Sequence, residues 1–313
     1  MMPCALALLA LSLITGCTDL EHRILVHGGL QRSYHLFVPE GVGPDAPLVL
    51  ALHGGGGRGV LLDRSTRGGI TREAAERGWV VAFPQGVEKG WNDGRAPITA
   101  RDDRRAGVDD VGFLVALVDE LSGSHGVDAH QVFVLGISNG GHMSYRLGVE
   151  ASDRFEVIAP VIANHPVIWL DSSPIHPVSV LVINGTEDPL VPYDGGVVTV
   201  FGQERGEVMS TDDTIAWWGE HDGCEGPVTT LELPDRDPDD GTRAVLETRR
   251  SCADDSEVTL VRVEGGGHTW PGGTQYLPVS TIGVVSQDFD ASEIIFEYFD
   301  RHVPESGPSK GPS

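Results

Sequence analysis

Apolar, β-branched runs recur along this chain with helical stretches between them. RILVHGG (23–29) and YHLFVPE (34–40) predict two opening strands, and PLVLALHG (47–54) predicts a fully apolar strand that runs into glycines. ITREAAERG reads as a helix ending at Gly78, followed by the strand WVVAFPQG. Asp109 or Asp110 caps the next helix, where Val111, Leu114, Leu117, Val118 and Leu121 form one apolar face. QVFVLGIS, FEVIAPVIA, VSVLVING and VTLVRVEG then read as strands, and ASEIIFEYFDRH as a last helix. Continuously apolar strands are those covered on both faces. Alternating with helices, they predict a mostly parallel, doubly wound α/β sheet in a single domain.

Charge narrows the function. A formal net charge of -24 argues against nucleic acid, because contact with polyphosphate needs a basic face. Lys89 and Lys310 are the only lysines, so arginine carries nearly all positive charge. At the N-terminus, the apolar stretch from Ala5 to Ile14 is too short to span a bilayer and has the length of a signal segment. It ends Ile14-Thr15-Gly16-Cys17, which is similar to a lipoprotein cleavage site with Cys17 as the lipidated residue. Residues 1–16 are therefore expected to be an export signal of lipoprotein type, with membrane anchoring by lipid or free secretion as outcomes. Residues 17–30 are expected to form a lead-in, 31–303 the α/β domain, and 304–313 a Pro/Gly/Ser tail expected to be disordered. Cys4 and Cys17 belong to the export segment, which leaves Cys224 and Cys252 to pair in an oxidising compartment. Such a bridge stabilises by about 3 kcal/mol. No Cys/His cluster has metal-ligand spacing.

Gly136-Ile137-Ser138-Asn139-Gly140 fits G-x-S-x-G between a strand and a helix, the context in which this motif presents a nucleophile. The helix start also aims backbone N–H groups and a positive dipole end at the serine. In this architecture an acid and then a histidine follow the serine. INGTEDPLVPY supplies Asp188 just beyond a buried strand, with Glu187 as the competing acid and Asp194 a weaker one. His268 sits in the glycine-rich VEGGGHTWPGG after the last predicted strand, whereas His221 lies at a helix end and His302 on the last helix. Ser138, Asp188 and His268 are the expected triad. ALHGGGGRG supplies an oxyanion loop, with Gly55, or Gly54, and the N–H of Asn139 as donors. The same glycines spell G-x-G-x-x-G, but the next strand ends Phe83-Pro84-Gln85 without an acid for a ribose, which disfavours a dinucleotide.

LHGGGG, FPQGVEKGWNDG, VDDVGFL, GISNGGHMSYRL, INGTEDPLVPY, WWGEHDGC and GGGHTWPGG together resemble the secreted polyhydroxybutyrate depolymerase and feruloyl esterase family of α/β-hydrolases, over about Arg32 to Arg301. The resemblance implies an α/β-hydrolase fold and a serine esterase using Ser138, Asp188 and His268. A cysteine pair in such proteins matches Cys224 and Cys252. No separate substrate-binding module is visible, and the mechanism needs no cofactor or metal. Trp91 and Trp270 are the aromatics nearest the motifs and are candidates to wall a substrate pocket; Trp217 and Trp218 read as core. Two other readings stay open: a peptidase on the same fold, and a non-catalytic surface lipoprotein on a hydrolase scaffold. The motifs do not choose among hydroxybutyrate, ferulate and acetate esters.

Overall fold

The structure is a computed structural model and describes residues 20–95, 105 and 107–304. The export segment with Cys17, the residues 305–313 and most of the RDDRR run lie outside the described residues. A 10-stranded sheet runs through the molecule. Its centre is parallel: β3 (Ala46–Leu52), β4 (Val80–Pro84), β5 (Val127–Ile137), β6 (Val157–Val161), β7 (Ser179–Gly185) and β12 (Val258–Glu264). One edge is closed by the antiparallel strands β1 (Glu21–His27) and β2 (Leu30–Phe37), the other by β11 (Arg243–Arg249) and β10 (Thr229–Glu232). A two-stranded hairpin, β8 (Gly196–Val200) with β9 (Gln203–Val208), stands apart from the sheet. Because β1 pairs along its whole length with β2, residues 21–30 belong to the domain, and the expected boundary at residue 31 is too late.

The apolar runs are continuous because helices cover both faces. Leu48, Leu50 and Leu52 of β3 join one core with α3 (Asp110–His125), α4 (Asn139–Glu150) and α5 (Thr211–His221). Val49 and Ala51, pointing the other way, join a second core. That core holds residues of α1 (Gly59–Ser65), α2 (Gly69–Arg77) and α7 (Ala291–Asp300). Asp109, not Asp110, caps α3 by accepting from the Gly112 N–H, while Asp110 is buried against Arg32. Trp218 is fully buried on α5, as its helical spacing predicts. Cys224 and Cys252 form the disulfide, joining the chain after α5 to the segment before β12.

Strand order places the functional edge. The chain leaves β3 towards β4 on one side, and β5 lies on the other side of β3. This reversal opens a crevice beyond the carboxyl ends of β3 and β5, where ligands bind in open α/β sheets. The glycine run 54–57 follows β3 and Ser138 follows β5, so both motifs flank that crevice. A short helix, α6 (Val279–Ile282), lies beside the loop that follows β12.

Candidate active site

Ser138 sits at the corner between β5 and α4 with φ 55° and ψ −116°, a backbone conformation that costs a non-glycine residue about 1–3 kcal/mol. Its neighbours hold it there: the Ser138 N–H donates to Val161 O at 2.9 Å, and the His142 N–H donates to Ser138 O at 2.9 Å. The motif glycines have a steric cause. A Cβ on Gly140 would lie 2.2 Å from the Leu52 carbonyl oxygen, and one on Gly136 would lie 2.2 Å from the Gly140 oxygen. Helix α4 can therefore start this close to β3 only without side chains. Asn139 opens α4, so its N–H is one of the donors that a helix leaves unpaired at its start.

The turn after β3 is fixed by His53. The Gly86 N–H donates to His53 Nε2 at 3.0 Å, which makes Nε2 an acceptor and puts the proton on Nδ1. Nδ1 then donates to Gly54 O at 2.8 Å, and the Gly57 N–H donates to the same oxygen at 3.0 Å. Burial lowers the His53 pKa to about 4, against the opposing hydrogen bond to Gly54, so this tautomer persists at neutral pH. In a trans peptide the C=O and the following N–H point in opposite directions. The Gly55 N–H therefore points away from the side on which the Gly54 carbonyl is held, and Gly55 lies beside Asn139, where a Cβ built on it would be 3.7 Å from the asparagine Cβ. Gly54 itself packs close to Ser138: a Cβ built on it would lie 3.5 Å from the serine Cβ.

Asp188 and His268 are brought together beyond β7 and β12. His268 Nδ1 lies 2.7 Å from Asp188 Oδ2, with the two side chains 5% and 3% exposed. The other carboxylate oxygen accepts from the N–H groups of Leu190 and Val191, at 2.8 and 2.9 Å. Glu187 and Asp194 point into solvent. The His268 loop, glycine-rich as it is, is pinned rather than loose. The His268 N–H donates to Ile282 O at 2.6 Å, and the Tyr276 hydroxyl donates to His268 O at 3.0 Å. Burial, with the Asp188 charge second, pushes the Tyr276 hydroxyl up to about 12. His221 instead stacks on Trp217 at 4.3 Å, and His302 lies beside Tyr298.

Two expectations need correction. Trp91 and Trp270 are each 2% exposed and offer no surface to a substrate. The Trp91 indole N–H donates to His53 O at 2.9 Å, and its backbone N–H donates to Asn139 Oδ1 at 2.8 Å. Trp270 packs into the core on the α7 side. Both hold loops in place. Sequence reasoning also missed Asp93 and Arg95, a buried ion pair at 2.7 Å. Asp93 Oδ2 accepts from the Asn139 amide at 2.6 Å. Burial pushes the Asp93 carboxyl up, but Arg95 beside it outweighs this and holds it below the usual range. Among the candidate motifs, only the block FPQGVEKGWNDG pointed here, and nothing in it marked the Asp.

No family model matches the chain. NocK of Nocardia uniformis subsp. tsuyamanensis, named as an esterase, is 32% identical over 285 residues, covering 88% of this chain and 81% of its own. Feruloyl esterase B of Piromyces equi is 27% identical over 204 residues, which span 63% of this chain but 35% of that enzyme. The fold is also that of acetyl xylan esterase from Aspergillus awamori, with a TM-score of 0.51 at 14% identity over 76% of this chain and 89% of that one. The chain is a carboxylic ester hydrolase and belongs to the esterase family of α/β-hydrolases.

Proposed function

We propose that the chain is an exported serine esterase in which Ser138, His268 and Asp188 form the triad. The observation that carries the reading is the His268–Asp188 contact, with Asp188 clamped by two backbone N–H groups, on the same sheet edge as a serine in a strained elbow. The Asp188 carboxylate keeps the His268 proton on Nδ1, leaving Nε2 as the base. Nε2 takes the Ser138 proton as Oγ attacks the ester carbonyl. The tetrahedral oxyanion is received by the N–H groups of Gly55 and Asn139, each worth about 3–4 kcal/mol in an acyl-transfer site. His268 returns the proton to the leaving alcohol, and water, activated by the same imidazole, then releases the acid from Ser138.

The relatives named for feruloyl and acetylxylan esters favour small acyl groups carried on saccharides over polyhydroxybutyrate. The signal-like segment ending at Cys17 and the disulfide support export, with lipid anchoring at Cys17 the more specific form. Export is tested by metabolic labelling with a fatty acid and by locating the mature N-terminus. Substrate class is tested on the mature chain with 4-nitrophenyl acetate, methyl ferulate, a hydroxybutyrate trimer and a peptide 4-nitroanilide. The expected result is turnover of the acetate and the ferulate. Cleavage of the anilide alone would establish the peptidase reading.

A further inference from the structure

An open groove of about 560 Å³ lies against the oxyanion turn, lined by Ser33, His35, Arg58, Gln85, Glu88 and Lys89 among others. We propose that it is a subsite for a carboxylate on the substrate, of the kind a uronic-acid residue carries; the inference rests on the esterase reading of Ser138.

Position comes first. The groove and the oxyanion site share one wall. The Gly56 N–H donates to Lys89 O at 2.7 Å, and the Gly59 N–H donates to Gln85 Oε1 at 3.2 Å. Gly86, another lining residue, holds His53. The turn that packs Gly54 beside Ser138 thus carries Arg58 out to the groove a few residues later.

Charge comes second. The chain carries 46 acidic residues against 22 lysines and arginines, so an anion meets repulsion over most of the surface. Most described arginines sit on carboxylates: Arg32, Arg77, Arg95, Arg154 and Arg301 are examples. Among the described residues Arg58 and Lys89 form no ion pair, as is also true of Arg64, Arg67, Arg236 and Arg249; of these, Arg58 and Lys89 line the groove. Lys89 is one of two lysines in the whole sequence. Glu88, also on the lining, already has an interaction partner. His35 is lowered by burial first and by His22 second, so at neutral pH it adds hydrogen bonding rather than charge.

Backbone conformation is the third observation. Glu88 and Lys89 both take left-handed angles, φ 50° and φ 60°, where glycine would sit without strain. The turn is nevertheless well bonded, with the Lys89 N–H donating to Gly86 O and the Gly90 N–H to Val87 O. A lysine is held in a conformation that a glycine would adopt more readily. Consecutive strained residues of this kind collect at ligand clamps. Ser33 and Gln85 add neutral polar groups suited to sugar hydroxyls.

Two measurements test the subsite. In the first, the Ser138→Ala chain is titrated by calorimetry with galacturonate trimer and with xylotriose at low salt. Trigalacturonate is expected to bind, xylotriose to bind far more weakly, and Arg58→Gln/Lys89→Gln to weaken the acidic sugar about tenfold, as loss of two exposed ion contacts implies. In the second, kcat/KM is compared for a feruloyl ester of an acidic oligosaccharide and its neutral counterpart. The acidic-to-neutral ratio should exceed one and fall with the double substitution or in 0.5 M salt, a concentration well above physiological ionic strength. Equal binding of both sugars, or affinity for trigalacturonate untouched by the double substitution, would overturn the subsite. Calorimetry needs no turnover, so failure of the esterase reading would show separately, as inactivity on every ester.

Discussion

Replacing Asp188 by asparagine changes one atom and, on this geometry, reverses the proton position on His268. Asp188 Oδ1 accepts two backbone N–H groups, from Leu190 and Val191, while Oδ2 accepts one, from His268. An asparagine must place its NH2 on one side or the other. Facing the two N–H groups, it would leave both unsatisfied in a buried loop, at about 1–3 kcal/mol each. Facing His268, it opposes a single donor, and the imidazole can relieve the clash by moving its proton from Nδ1 to Nε2. The second orientation wins. Nε2 then carries a hydrogen and cannot accept the Ser138 proton. The expected loss in kcat is about 10⁴-fold, equivalent to about 5.4 kcal/mol of transition-state stabilisation. KM and the melting temperature should change little, because size and backbone bonds are kept. The assay is steady-state hydrolysis of 4-nitrophenyl acetate at pH 7.5 beside a thermal melt. A rate within tenfold of the parent would refute the reasoning, as would a larger loss in Glu187→Gln, whose side chain is exposed.

Acidification should destabilise the fold. Burial lowers His53 to about 4 and His165 to about 3, and burial first with Arg95 second takes His142 well below its usual value, so between pH 6.5 and 4 the unfolded chain binds three protons that the folded chain refuses. Asp222, raised by burial to about 6, works the other way and binds one proton in the folded chain as pH falls below about 6. The net two protons make stability fall by about 2.7 kcal/mol per pH unit between about pH 6 and 4.5, from these four groups; a urea midpoint that is flat or rises on acidification contradicts this. Reducing Cys224–Cys252 should remove about 3 kcal/mol and lower the melting temperature by about 5 °C. Ester hydrolysis below the melt should be unaffected, because the bridge precedes β12 and His268 follows it, at the opposite end of the strand; a matching loss of rate would show that the two ends are coupled.

Legibility in the sequence followed burial. The central strands announced themselves because both faces are covered, which leaves no polar alternation to confuse them with loops. β10 did not: all four of its residues, Thr229 to Glu232, are exposed, so its sequence carries no core signal. The β8–β9 hairpin was missed for a related reason, since its cluster amounts to Val191, Val198 and Val208 with Val200 packed against it. At the candidate site, the placement of Ser138, Asp188 and His268 at one sheet edge was legible because each follows a buried strand. The roles of His53, Asp93 and Arg95 depend on contacts between loops distant in sequence, such as Gly86 on His53 and Asn139 on Asp93. No local pattern encodes those. Trp91 and Trp270 misled because nearness in sequence to a motif says nothing about which way a ring faces.

Ser138 as the nucleophile is the central proposal, and covalent labelling tests it most directly. The mature chain is treated with a fluorophosphonate, digested, and examined by mass spectrometry while ester hydrolysis is followed on the same sample. The expected result is one adduct per chain, on the peptide containing Ser138, formed in step with the loss of activity. Ser138→Ala should take no label and retain about 10⁻⁶ of the parent kcat. An adduct on another residue, or near-parent ester hydrolysis by Ser138→Ala, would contradict the mechanism.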